Sequence, residues 1–128
     1  MGQRTLEITD VSSPLKTAFT ISRGAKTSAD TIRVTIREGE AVGRGECVPY
    51  PRYGETQIGV HAAIEARRAQ IEGGLSREAL QTAMPAGAAR CAVDCALWDL
   101  EAKLTGTPVW KLAGLPEPKP IETAVTVS

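Results

Sequence analysis

Ser22-Arg23-Gly24 sets one arginine beside a glycine in a polar stretch. A planar guanidinium on sharply turning backbone suits bidentate capture of a carboxylate. An ordinary solvated arginine is the competing reading. The second stretch with chemical potential is residues 43–56, GRGECVPYPRYGET. Tyr50, Arg52 and Tyr53 stand among Pro49, Pro51 and Gly54, on a segment that the prolines bar from helix or mid-sheet. Stiffly held loops carrying aromatic and charged side chains are disproportionately binding loops. A surface connection with half-buried tyrosines accounts for the same spacing.

Other reactive side chains carry less. Cys91 and Cys95 sit four apart on one predicted helix. Without a second pair of ligands they make a weak zinc signal and are expected to be small buried hydrophobes. His61 is the sole histidine and has no acid or nucleophile at a fixed spacing, which leaves it structural or solvated. Asp94 and Asp99 lie among alanines and are expected to bond to neighbouring chain or solvent. No Ser-His-Asp set, Walker loop, HExxH or Gly-rich dinucleotide turn occurs. Lys103 and Lys111 fall on separate helical segments, and Lys16, Lys26 and Lys119 in loops. No lysine pair and no acid cluster with magnesium-ligand spacing is therefore expected in this chain.

The elements that must position these loops follow from periodicity. Residues 4–11 alternate, with Leu6 and Ile8 on one face, and read as a half-buried strand. Residues 16–30 are polar and predict irregular chain anchored by Phe19 and Ile21. Residues 31–37 are the clearest strand, with Ile32, Val34 and Ile36 pointing one way. A tight turn at 38–40 makes 41–47 its hairpin partner. There Gly43 and Gly45 strip one strand face of side chains, so another backbone or a ligand can come close.

Thr56 is placed to cap a single helix to about residue 72, with Val60, Ala63, Ile64, Arg67 and Ile71 inward. Ser76 caps a short helix through about residue 83. Residues 86–105 are the strongest helix, with Ala89, Ala92, Val93, Ala96, Leu97, Leu100 and Leu104 forming one apolar face. A short turn covers 109–112, a proline linker 116–120, and a new strand 121–128. The fold class is α+β: a three-stranded antiparallel sheet followed by a helical layer. The last strand has no evident partner, so the sequence reads as the front of something longer.

Composition narrows the function classes. Over 128 residues, 15 acidic and 15 basic side chains balance, which argues against a nucleic-acid footprint. No stretch is apolar enough to span a membrane, and the first ten residues hold no continuous apolar run. Three cysteines, Cys47, Cys91 and Cys95, fit reduced thiols in a cytoplasmic protein.

Residues 89–114, ARCAVDCALWDLEAKLTGTPVWKLAG, resemble the helix signature of the mandelate racemase/muconate lactonizing group of the enolase superfamily. The A-V-D-x-A-L-W-D-L core, the Ala-Lys after it and the later Gly-x-Pro-Val carry the match; Ala113 departs from the larger apolar residue usual there. The sheet-then-helices order resembles that superfamily's N-terminal capping domain. Residues 14–24 and GECVPYPRYGET are similar to its dipeptide (L-Ala-D/L-Glu) epimerase branch. The resemblance implies a cap over residues 1–115, then a linker and the first strand of an absent β/α barrel over 116–128. It implies catalytic lysines and Mg²⁺ held by that barrel, with no catalytic or metal residue in this chain. Arg23, Gly24, Tyr50, Arg52 and Tyr53 would bind substrate. The implied partners are a small-molecule dipeptide and the chain's own C-terminal barrel, with a homo-oligomer left open and no nucleic acid or membrane. The chain alone would be inactive. The alternatives are the cap of a cycloisomerase or o-succinylbenzoate synthase, or a non-catalytic binding or assembly module.

Overall fold

A computed structural model describes residues 3–21, 24–125 and 127. Strands β1 (Arg4–Ile21), β2 (Gly24–Glu38) and β3 (Ala41–Cys47) form one antiparallel sheet in the order β1-β2-β3. Helices α1 (Gln57–Glu65), α2 (Arg68–Glu72), α3 (Arg77–Ala83), α4 (Ala88–Thr105) and α5 (Val109–Leu112) follow. The fold class expected from patterning is the one observed. Ile32, Val34 and Ile36 of β2 are fully buried, and with Leu6 they pack under Ala92, Val93, Ala96, Leu97 and Leu100 of α4. Val60, Ile64, Ile71 and Leu80 complete this core from the shorter helices.

Gly43 and Gly45 decide how close α4 lies. A Cβ on Gly43 would stand 2.3 Å from the Ala96 carbonyl oxygen, and one on Gly45 2.0 Å from that of Ala92. The bare strand face therefore receives helix backbone and not a ligand. Alanines at 92 and 96 provide the same clearance from the helix side.

Both outer sheet edges along the packed part are covered by an acid–base pair one helical turn apart. On β1, Arg68 Nη1 donates to the Leu6 carbonyl at 2.6 Å and Glu72 Oε2 accepts from the Leu6 N–H at 2.9 Å. On β3, Lys103 Nζ donates to the Val42 carbonyl at 2.6 Å and Asp99 Oδ2 accepts from the Arg44 N–H at 2.9 Å. Edge groups left open are templates for pairing with other chains.

Four expectations are corrected. Residues 16–30 are not irregular: β1 and β2 run on as a two-stranded ribbon, with a register shift between Pro14 and Phe19 and pairing resumed at Phe19–Lys26 and Ile21–Gly24. Lys16 and Lys26 thus lie on strands. The helix expected over 56–72 breaks at Ala66 and Arg67, where Arg67 N–H bonds the Ile64 carbonyl at 3.0 Å. The break aims Arg68 and Glu72 at Leu6 and leaves Ala63 exposed. Cys91 and Cys95 are exposed, and only Cys47 is buried. Residues 121–125 form no strand, since among the described residues no neighbouring strand offers them a ladder; Ile121 and Val125 are 84% and 83% exposed. Among the described residues no helix is long and apolar enough to cross a membrane.

Candidate functional site

Pro49 is buried at the exit of β3, and the chain then folds into one 3₁₀ turn, Pro51–Tyr53. The segment was expected to exclude helix, but proline at the first helical position has no N–H to leave unpaired. Tyr53 N–H bonds the Tyr50 carbonyl at 3.0 Å, and Gly54 N–H bonds that of Pro51 at 2.9 Å. The turn stacks the rings of Tyr50 and Tyr53 at 5.6 Å between centroids, tilted by 40°. Tyr50 is half-buried, whereas Arg52 is exposed and Tyr53 is 74% exposed.

Two contacts tie this turn to the rest of the chain. From the ribbon, Lys26 Nζ lies 5.3 Å from the centre of the Tyr50 ring, within cation–π range. From behind, Glu55 Oε1 accepts from the Tyr50 N–H at 3.0 Å and Oε2 from the Ala88 N–H at 2.8 Å. A groove of about 600 Å³ runs beside the turn, lined in part by Cys47, Val48, Tyr50, Tyr53 and Cys91. Burial, then the neighbouring Cys91 thiol, pushes the Cys47 thiol up to about 11. A protonated thiol is a packing group and not a nucleophile.

The sequence-predicted site residues divide as follows. Tyr50 and Tyr53 meet at the groove, with Arg52 on the same turn. Gly24 pairs with Ile21 at the ribbon's tip and has φ +135°, two residues from Lys26. Arg23 lies outside the described residues. Lys26 and Glu55 were missed. Lys26 meets Tyr50 from 24 positions away, and Glu55 links Tyr50, five positions away, to Ala88, 33 away, so the contacts that join separate elements lie beyond any local pattern. His61 is structural: its Nδ1 lies 2.8 Å from Asp10 Oδ1, across from β1. Asp94 accepts from Gln81, and Asp99 from Arg44 and Lys103, as neighbouring-chain contacts.

The groove can hold the end of a small ligand against an aromatic platform with a cation beside it. Among the described residues no group of three or more His, Cys, Asp or Glu side chains could hold a metal ion.

A family model described as "Mandelate racemase / muconate lactonizing enzyme, N-terminal domain" matches residues 3–114. The chain belongs to this family. Within it, the chain is 45% identical over 124 residues to an L-Ala-D/L-Glu epimerase of Escherichia coli, a match that covers 97% of this chain and 39% of that relative. A solved enolase family member from Agrobacterium tumefaciens, described as homologous to dipeptide epimerases and bound to sodium and L-Ala-L-Glu with an ordered loop, superposes with a TM-score of 0.84. It is 52% identical over 88% of this chain and 35% of that one. A dipeptide epimerase from Enterococcus faecalis, solved with Mg and L-Leu-L-Tyr, superposes at 0.74 with 30% identity, over 88% of this chain and 34% of that one. The mandelate racemase/muconate lactonizing domain described above is thus the N-terminal part of its relatives, and the chain spans well under half of their length.

Proposed function

We propose that this domain is the substrate-reading cap of a dipeptide epimerase that interconverts L-Ala-D-Glu and L-Ala-L-Glu. The observation that carries the reading is the junction of ribbon and tyrosine turn at one groove, through Lys26 and Tyr50, in a chain so similar to an L-Ala-D/L-Glu epimerase. Tyr50, Arg52 and Tyr53 shape a lid over the dipeptide, and Gly24, paired with Ile21 in the ribbon, and Arg23 help to bind its distal end. Arg23 pairs with the glutamate side-chain carboxylate. Closure of such a lid excludes water from the reacting carbon.

Epimerisation at a carbon next to a carboxylate needs a proton acceptor on one face and a donor on the other. The residues described here do not fit a magnesium ion. Magnesium and the acid–base pair therefore belong, in this reading, to a C-terminal β/α barrel. Such a barrel takes about 250 residues. Three free cysteines support a cytoplasmic setting.

The test is NMR of L-Ala-L-Glu in D₂O with the full-length protein and Mg²⁺. The expected result is loss of the glutamate α-proton signal and appearance of the second diastereomer. Turnover confined to dipeptides without an acidic residue would refute the glutamate assignment.

A further inference from the structure

We propose that Glu55 is the positioning residue of the substrate-reading turn. Its carboxylate locks the Tyr50–Tyr53 segment to the start of α4 and so sets the platform on which Lys26 of the ribbon rests. The inference deepens the reading of the same groove given above, and its kinetic arm rests on that reading.

Both carboxylate oxygens are committed, one to the Tyr50 N–H at 3.0 Å and one to the Ala88 N–H at 2.8 Å. Charge-assisted bonds of this kind are about twice as strong as neutral ones. The start of α4 is built to receive them. Its N-cap is Gly87, which supplies no side-chain cap. Glu55 takes that place from 33 positions away, where the helix dipole also favours a negative charge. Gly87 has φ +155°, and a Cβ there would stand 3.3 Å from Glu55 Oε2. Glycine therefore both permits the backbone bend and leaves room for the carboxylate.

The anchor point matters because α4 is the core helix. Ala88 itself is buried, as are Ala92, Val93, Ala96, Leu97 and Leu100 after it. Tyr53 by contrast is mostly exposed and stacks on Tyr50, which in turn meets Lys26. A single carboxylate thus ties an exposed aromatic turn to the buried start of the core helix. Glu55 touches no reacting atom in this arrangement, so its loss should weaken substrate capture and spare the chemical step.

The experiment compares wild type, Glu55→Gln and Gly87→Ala in the full-length protein. Gln keeps one acceptor but presents N–H groups to the second N–H. Gly87→Ala keeps the carboxylate and crowds it. For both variants the expected result is a KM for L-Ala-L-Glu raised about tenfold, with kcat within about twofold. Hydrogen exchange read by mass spectrometry should accelerate about tenfold over residues 48–56 and stay unchanged over β2. Unchanged exchange over 48–56 overturns the proposal. So does equal acceleration over β2, which would make Glu55 a support of the whole fold, and so does a fall in kcat at constant KM. If the wild type epimerises no dipeptide, the proposed function fails while the exchange arm still decides the role of Glu55.

Discussion

Cys47 and Cys91 line one groove, yet only Cys47 is buried, and burial shifts its thiol from the ordinary value of 9.0 up to about 11. A raised folded value means that the unfolded chain ionises first. The contribution of Cys47 to stability is therefore complete below pH 9 and is lost as pH rises toward 11. Between these limits wild type should lose about 2 kcal/mol more stability than Cys47→Ala, read by urea denaturation at stepped pH. Parallel pH profiles would show that Cys47 ionises as freely folded as unfolded. Arg23 makes a second residue-scale prediction. In the full-length protein, Arg23→Ala should lower kcat/KM for L-Ala-L-Glu far more than for a dipeptide without an acidic side chain. Loss of one partner of a desolvated charge pair costs on the order of 2–5 kcal/mol. Equal losses for both substrates would separate Arg23 from that carboxylate. At this scale the sequence was legible where residue type limits geometry, as with Gly43 and Gly45, whose bare strand face admits the α4 backbone. It was not legible for Cys91 and Cys95, which share size and spacing with the buried Ala92 and Ala96. Small residues all round a helix do not mark which sector faces the sheet.

The Asp99–Lys103 pair acts on a whole element, since it occupies the outward N–H of Arg44 and carbonyl of Val42 on β3. Partial burial pushes the Asp99 carboxyl up, but the Arg44 N–H and Lys103 outweigh it and hold it below the usual carboxylate value. Its share of stability is thus present above about pH 4 and is lost as pH falls through that lowered value. Replacing both residues by alanine in the full-length protein should cost about 1–2 kcal/mol and expose a strand edge. Sedimentation velocity should then show concentration-dependent association absent from wild type, and a strictly monodisperse double variant would mean that the edge is closed by other means. Legibility at this scale tracked burial. Residues 31–37 and 41–47 alternate because one face is covered, and α4 shows its 3.6 period because one sector is. The ribbon had no such signature: between Ser12 and Ala29 nearly every described side chain is exposed, so neither face enforces a pattern. The break between α1 and α2 was hidden because Ile64 and Ile71 keep helical spacing across it.

At the scale of the molecule, the proposed cap would read the substrate and leave proton transfer to residues outside it. Among the described lysines, Lys103 is engaged with Val42 and Asp99, Lys26 stands over Tyr50, and Lys111 lies near the Trp110 ring. Among the described residues no lysine lines the groove, and no carboxylate cluster could hold a cation beside an enediolate there. Val48, Tyr53, Ile121 and Val125 at the same time present apolar surface to water. A polypeptide restricted to residues 1–128 should therefore leave the dipeptide α-proton unexchanged in D₂O and show no tight Mg²⁺ binding by titration calorimetry. It should also self-associate, with sedimentation rising with concentration as exposed apolar patches find one another. The decisive comparison supplies the relatives' missing C-terminal portion as a second chain. Exchange that appears only on mixing, together with loss of self-association, is the expected outcome, because the reading surface and the acid–base pair then meet at one cavity. Metal-dependent exchange by residues 1–128 alone, after rigorous removal of full-length protein, would place the chemistry within this domain and overturn its assignment as a cap.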